Sequence, residues 1–241
     1  MPGCGPPHGK MMPMGVIYLV RHGQAGHDEN GYGSLTDLGR EQARNVGRHL
    51  ARRVGRLDFA ASGNLARQLE TVQEIVAQFE DGTAPEPVVN AGWNEYDLTH
   101  LTSRDMPPVG TSAEAADAQR DFQRDLDKAL LAWAADGHST GAGSYAEYRE
   151  SIREALKEIA TFAGPGQVAL AASSAGTIAA VVAELWGVDS QTWPVIARTM
   201  VNASITKLIV GSTGINVMSV NDHAHADTPD DQGKRPLVTM R

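Results

Sequence analysis

The sequence predicts an α/β protein: a three-layer α/β/α sandwich with a mostly parallel central sheet and a helical insertion over the site. Two observations lead there. Short apolar runs rich in β-branched residues alternate with longer stretches of helical period, the order expected of a sheet covered on both faces. Several of those runs also stop abruptly at polar residues, and in open α/β sheets ligands bind outside the carboxyl ends of the strands.

The first such run, Val16-Ile17-Tyr18-Leu19-Val20, ends at Arg21-His22-Gly23. A buried strand there delivers two cationic-capable side chains to its carboxyl end, and the glycine lets the chain turn beside the imidazole. Residues 24–34, polar and glycine-rich, read as a loop beside that site. Thr36, followed by Asp37, opens a helix running to about Arg53, with Leu38, Ala43, Val46 and Leu50 as its apolar stripe. Residues 58–62 are the second strand. The helix after it is capped by Asn64 and buries Leu65, Leu69, Val72, Ile75, Val76 and Phe79, with Arg67 in its first turn, off that stripe. A short strand at 88–90 leads into Trp93-Asn94-Glu95-Tyr96-Asp97.

From about 98 to 143 the strand–helix rhythm breaks, and this part reads as an insertion or cap. Within it Ala118, Phe122, Leu126, Leu130 and Trp133 keep helical spacing, while Arg120-Asp121 and Arg124-Asp125 read as a solvated face with helix-spaced ion pairs. A core-facing helix marked by Tyr145, Tyr148, Ile152, Leu156, Ile159 and Phe162 closes at Gly164-Pro165-Gly166. Residues 168–172 form a buried strand entering Ser173-Ser174-Ala175-Gly176 and a helix to Gly187. A helix near 191–197 and two strands, 204–210 and 215–221, complete the fold. The expected organisation is one domain over 15–226. Before it, residues 1–14 read as a disordered tail, an over-long start site or an expression remnant. After it, 227–241 reads as a polar, frayed tail.

Composition sets outer bounds. With 41% hydrophobic and 21% charged residues the chain has an ordinary globular make-up, and its net charge of -8 argues against nucleic acid or a membrane surface as partner. A local positive pocket is compatible with that charge. The single cysteine, Cys4, excludes an intrachain disulfide and points to a cytoplasmic protein. No apolar run is long enough to span a bilayer, and the first residues lack the pattern of a secretory signal. Cys4 and His8 are too few ligands for a metal site.

Polar groups thus gather at several strand ends: Arg21-His22-Gly23, Ser62 with Arg67, Glu95, and Ser173-Ser174. This arrangement resembles the histidine phosphatase superfamily, with its phosphoglycerate-mutase-like fold, over almost the whole chain after the tail. The resemblance rests on Leu19-Val20-Arg21-His22-Gly23-Gln24, Leu35-Thr36-Asp37-Leu38-Gly39 with Gln42-Ala43, residues 62–71 around Arg67, Glu95, and Ser173-Ser174. It implies that His22 is a nucleophile forming a phosphohistidine, with a neutral ring whose one nitrogen is held as donor by a carbonyl. Arg21 and Arg67 would clamp the phosphoryl oxygens. Glu95 would protonate the leaving alcohol and then activate water, with Asp97 close enough in sequence to compete. The implied partner is a small-molecule phosphate ester, with no metal or other cofactor. The oligomeric state stays open, a homodimer included.

One departure stands out. Where the family has a second histidine after the late buried strand, this chain has Ser174. A serine hydroxyl donates a hydrogen bond to phosphate but carries no charge. Three functions follow as alternatives: a metal-independent phosphomonoesterase, a phosphoglycerate-mutase-type phosphoryl transferase, and a weakly active or non-catalytic phosphate-ligand binder. The stretch after Glu95 lacks the histidine-tyrosine-glycine run of true mutases, and the first loop lacks their tryptophan-asparagine pair. Gln24, His223 and His225 are candidates for the rim of the site, with His27 and His100 behind them. Asn202 with Ser204-Ile205-Thr206 resembles a family segment that shapes the fold. Trp93, Tyr96 and Met106 are candidates to contact an apolar part of a substrate.

Overall fold

The computed structural model describes residues 14–28, 31–97, 101, 113–136 and 143–240. Its elements run β1 (Gly15–Arg21), β2 (Ala25–Asp28), β3 (Gly31–Leu35), α1 (Asp37–Val54), β4 (Phe59–Ser62), α2 (Ala66–Val76) and β5 (Val88–Val89). A 3₁₀ turn (Ala91–Trp93) and α3 (Ala113–Asp136) follow. The chain then continues through α4 (Tyr145–Thr161), β6 (Val168–Ser173), α5 (Ala175–Trp186), α6 (Trp193–Thr199), β7 (Ile205–Gly211) and β8 (Gly214–Asp222). The main sheet has the order β5-β4-β6-β1-β7-β8. Its β5, β4, β6 and β1 are parallel, and β7 and β8 add an antiparallel edge.

β1 sits between β6 and β7 and is covered on both faces, which is why its sequence is apolar without alternation. The two-residue period still sorts its side chains. Ile17 and Leu19 pack with Trp93, Ala169, Ala171 and residues of α3, α4, α5 and α6. Tyr18 and Val20 face the other way, onto Ala43, Val46 and Leu50 of α1 and Val72 and Ile75 of α2. These two cores make the three layers. α1 starts where Thr36 Oγ1 accepts from the Gly39 N–H (3.0 Å) and ends at Gly55, whose φ of 74° suits glycine. α4 opens with a capping box between Ser144 and Glu147. Among the described residues no helix is long and apolar enough to cross a membrane.

Several local expectations are corrected. Residues 24–34 are not simply a loop: β2 and β3 pair as an antiparallel hairpin, which lacked the apolar alternation that marks a strand. Asn64 does not cap α2. Leu65 is the cap residue, without a side-chain bond, and Asn64 instead exchanges two 2.8 Å hydrogen bonds with Asn94. The buried face of α2 is Arg67, Gln68, Thr71, Val72 and Ile75, so it carries polar groups inward. α6 begins two residues later than the expected helix, and Phe162 is 40% exposed, stacked on Phe59 rather than buried. The fraying expected after Ala226 does not describe 237–240, which hydrogen-bond to Gln42, Asn202 and Arg21. Cys4, His8, His100 and Met106 lie outside the described residues, as does the side chain of His27.

Candidate active site

Sheet register assembles the site. Arg21 pairs with Ser173 across the β1–β6 ladder, and the His22 N–H continues it to Ser173 O (2.9 Å). On the other side of β6, Ser62 pairs with Ala172. The carboxyl ends of β1, β4 and β6 are therefore level, and Arg21-His22, the turn into α2 and Ser173-Ser174 meet there.

Sharp turns need close backbone approach. A Cβ on Gly23 would lie 2.3 Å from Gly39 O, and one on Gly39 would lie 2.0 Å from Gln24 O. The two glycines let the turn after β1 press onto the first turn of α1. Gln24 is held there: its N–H donates to Gln42 Oε1 (2.7 Å), and its Oε1 accepts from Thr36 Oγ1 (3.0 Å). The Gly23 N–H donates to Thr71 Oγ1 (3.1 Å), which ties the turn to α2.

His22 is 6% exposed. Its Nδ1 lies 2.8 Å from Gly23 O, and a carbonyl only accepts, so Nδ1 carries the proton and Nε2 keeps the lone pair. Burial holds its pKa well below the usual histidine value, and the charges of Arg21 and Arg67 press it further down against the Gly23 hydrogen bond. The backbone is fixed as well: His22 O accepts from the Ala203 N–H (3.2 Å) and from Asn202 Nδ2 (3.3 Å). Arg21 Nη1 donates to Met200 O (2.5 Å) and Met240 O (3.1 Å). Arg67, 8% exposed, sits in the first turn of α2.

Glu95 reaches the same place from the loop after the 3₁₀ turn. Its Oε2 accepts from the Gly176 N–H (2.9 Å) in the first turn of α5, and its Oε1 from the Tyr96 N–H (3.2 Å) and Tyr148 Oη (3.3 Å). Loss of hydration raises its pKa, opposed by the Gly176 N–H, Arg67, the Tyr96 N–H and Arg21. Both guanidinium charges thus act on both His22 and Glu95. Asp97 is exposed.

Ser174 is 1% exposed at the start of α5, and its Oγ accepts from Gln68 Nε2 (2.9 Å), which also donates to Trp93 O (2.9 Å). Gln68 Oε1 is buried with no hydrogen-bond partner. The rim candidates His223 and His225 have other partners. His223 Nδ1 bonds Asn221 O (2.7 Å), while His225 Nε2 bonds Ala203 O (3.1 Å) and its ring lies 5.5 Å from that of His49 on α1. Burial, first of all, lowers the His225 pKa to about 4.

Sequence reasoning missed Gln68, Tyr148 and Thr177 as neighbours of the site. Gln68 was findable, because 68, 71, 72 and 75 share one face of α2. Tyr148 Oη also bonds Thr177 Oγ1 (2.9 Å), and nothing in the spacing shows that contact. Trp93 is buried in the core, and Tyr96 packs edge-on against Trp193 and Tyr148.

The family model of the histidine phosphatase superfamily (branch 1) matches residues 17–223. A mycobacterial glucosyl-3-phosphoglycerate phosphatase solved with VO3 is 22% identical, with 87% of this chain and 100% of that chain covered and a TM-score of 0.61. A mutant phosphoserine phosphatase from Entamoeba histolytica in complex with phosphoserine is 20% identical, covering 87% and 98%, with a TM-score of 0.61. YhfR of Bacillus stearothermophilus is 17% identical, covering 87% and 98%, at 0.62. These likenesses speak to the fold. No curated protein matches the sequence.

Proposed function

The chain belongs to branch 1 of the histidine phosphatase superfamily, and on that premise we propose that it is a phosphatase hydrolysing a phosphate monoester through a phosphohistidine on His22. The observation that carries this reading is the Nδ1–Gly23 O bond, which leaves the Nε2 lone pair as nucleophile beside two arginines. Nε2 attacks phosphorus as the P–O bond to the leaving group breaks. Glu95, whose raised pKa favours a held proton, gives that proton to the departing oxygen. The resulting Glu95 carboxylate then takes a proton from water, the water oxygen attacks phosphorus, and the P–Nε2 bond breaks. Phosphate leaves and Glu95 is protonated again. Arg21 and Arg67 offset the charge gathering on the phosphoryl oxygens, so the scheme calls on no metal.

The ligand in this reading is a small-molecule phosphate ester, and the net charge of -8 speaks against nucleic acid or a membrane surface. The lone cysteine supports a cytoplasmic setting. One observation favours a second reading, a weakly active or non-catalytic phosphate binder: Ser174, whose Oγ accepts from Gln68, keeps a hydroxyl proton for phosphate but brings no charge. A panel including p-nitrophenyl phosphate, phosphoserine and glucosyl-3-phosphoglycerate separates the two. The phosphatase should release phosphate in the presence of a chelator, and His22→Ala should abolish release. Turnover retained in that variant rules the mechanism out, and binding without turnover favours the second reading.

A further inference from the structure

Residues 237–240 are stitched to the turns that carry the site. Leu237 O accepts from Gln42 Nε2 (3.0 Å), and Thr239 Oγ1 accepts from the same amide (2.8 Å) while donating to Asn202 Oδ1 (3.0 Å). Thr239 O accepts from the Asn202 N–H (2.8 Å), and Met240 O accepts from Arg21 Nη1 (3.1 Å). Each partner leads inward. Gln42 Oε1 holds the Gln24 N–H, Asn202 Nδ2 holds His22 O, and Arg21 Nη1 also donates to Met200 O.

Gln42 and Asn202 are each only 1% exposed. Both donors of the Gln42 amide go to the segment, and without it a buried amide would lose its partners, a costly state. The docking is therefore tight. It also has a geometric consequence. With Nη1 directed at two backbone carbonyls, the plane of the Arg21 guanidinium is set before any ligand arrives.

Building on the reading of His22 and Arg21 as a phosphoryl-transfer pair, we infer that Thr239 is a positioning residue for it. Through Thr239, the segment 237–240 closes the hydrogen-bond frame that holds the Arg21 guanidinium and the His22 backbone in place. Thr239 touches neither phosphate nor the reacting atoms. Its hydroxyl joins Gln42, on the α1 side of the frame, to Asn202, on the β7 side.

Thr239→Val keeps the shape and removes that hydroxyl, leaving one Gln42 proton and Asn202 Oδ1 without it. A loosened clamp should lower kcat/KM for p-nitrophenyl phosphate about tenfold and weaken orthovanadate inhibition in parallel, in assays run well below the melting temperature. Thr239→Ser, which restores the hydroxyl, should recover most of both losses. A third readout needs no turnover. The His22 ring, on which the Arg21 and Arg67 charges act, should titrate at a higher pH by ¹⁵N NMR in Thr239→Val, because the Arg21 charge is held less closely. A wild-type protein without turnover would end the phosphatase reading while leaving the NMR comparison to decide this one. Wild-type kinetics in Thr239→Val, an unmoved His22 titration, or a serine variant as impaired as the valine one each overturns the role of Thr239.

Discussion

A methyl group at position 176 would lie 2.4 Å from both Glu95 Oε1 and Tyr96 Cε1. Glycine there is what allows a carboxylate to rest on the first turn of α5 and accept the Gly176 N–H. Gly176→Ala should therefore push Glu95 out of line and cost the proton transfer to the leaving group, a loss on the order of 100-fold in kcat/KM, which reads only the steps up to the phosphohistidine. The loss should depend on the substrate. An alkyl phosphate, whose leaving oxygen needs a proton, should suffer far more than p-nitrophenyl phosphate, whose leaving group departs unaided. Equal losses on the two would show that Glu95 is not the proton donor.

At the scale of elements, α2 and the β6–α5 turn meet through one polar pair, Gln68 and Ser174. Both are buried, Gln68 fully and Ser174 at 1% exposure, so the space a histidine ring would fill at 174 is bounded by the Gln68 side chain. Ser174→His alone should overpack, at a cost of about 1–3 kcal/mol, with little gain in rate. Ser174→His with Gln68→Ala frees that volume and lets an imidazolium reach the phosphate, whose charge-assisted bond is roughly twice as strong as a neutral one. The double variant should then exceed the single one in kcat/KM by about tenfold. The measurement is a double-mutant cycle in rate and melting temperature. A single Ser174→His that gains as much as the pair would show that Gln68 does not limit the site.

For the molecule as a whole, stability must depend on pH through His22. Burial and the two arginines hold its folded pKa well below the ordinary value. The unfolded chain then binds a proton that the folded chain refuses at any pH between those two values. The stability contributed by the neutral ring is fully present above about pH 6.5 and is lost as pH falls toward the folded pKa. Over that window the wild type should lose up to about 1.4 kcal/mol per pH unit relative to His22→Gln. Glu95, with its raised pKa, works in the opposite sense but is present in both proteins. Urea unfolding at pH 6.5 and 5.5 gives the comparison, and parallel pH dependences would show an unshifted His22.

Local chemistry made much of this readable from the chain. The unalternating run 16–20 read as a doubly covered strand, Thr36 before Asp37 as a helix start, and Arg21-His22-Gly23 put its chemistry at a strand end. The hairpin at 25–35 was not readable, because its pairing rests on backbone bonds between glycine-rich stretches with no apolar period. Nor was the role of Gln68, whose meaning depends on Ser174, 106 positions away. The docking of 237–240 is the extreme case, since Met240 meets Arg21 across 219 positions. By itself the sequence determined the order of the main-sheet strands and their helices and the layering, because these follow from period, capping and residue type, and a family resemblance singled out His22. Only the tertiary structure decided which backbone N–H groups hold Glu95, what engages Ser174 and what steadies Arg21, because register and long-range hydrogen bonds exist only once the sheet has closed.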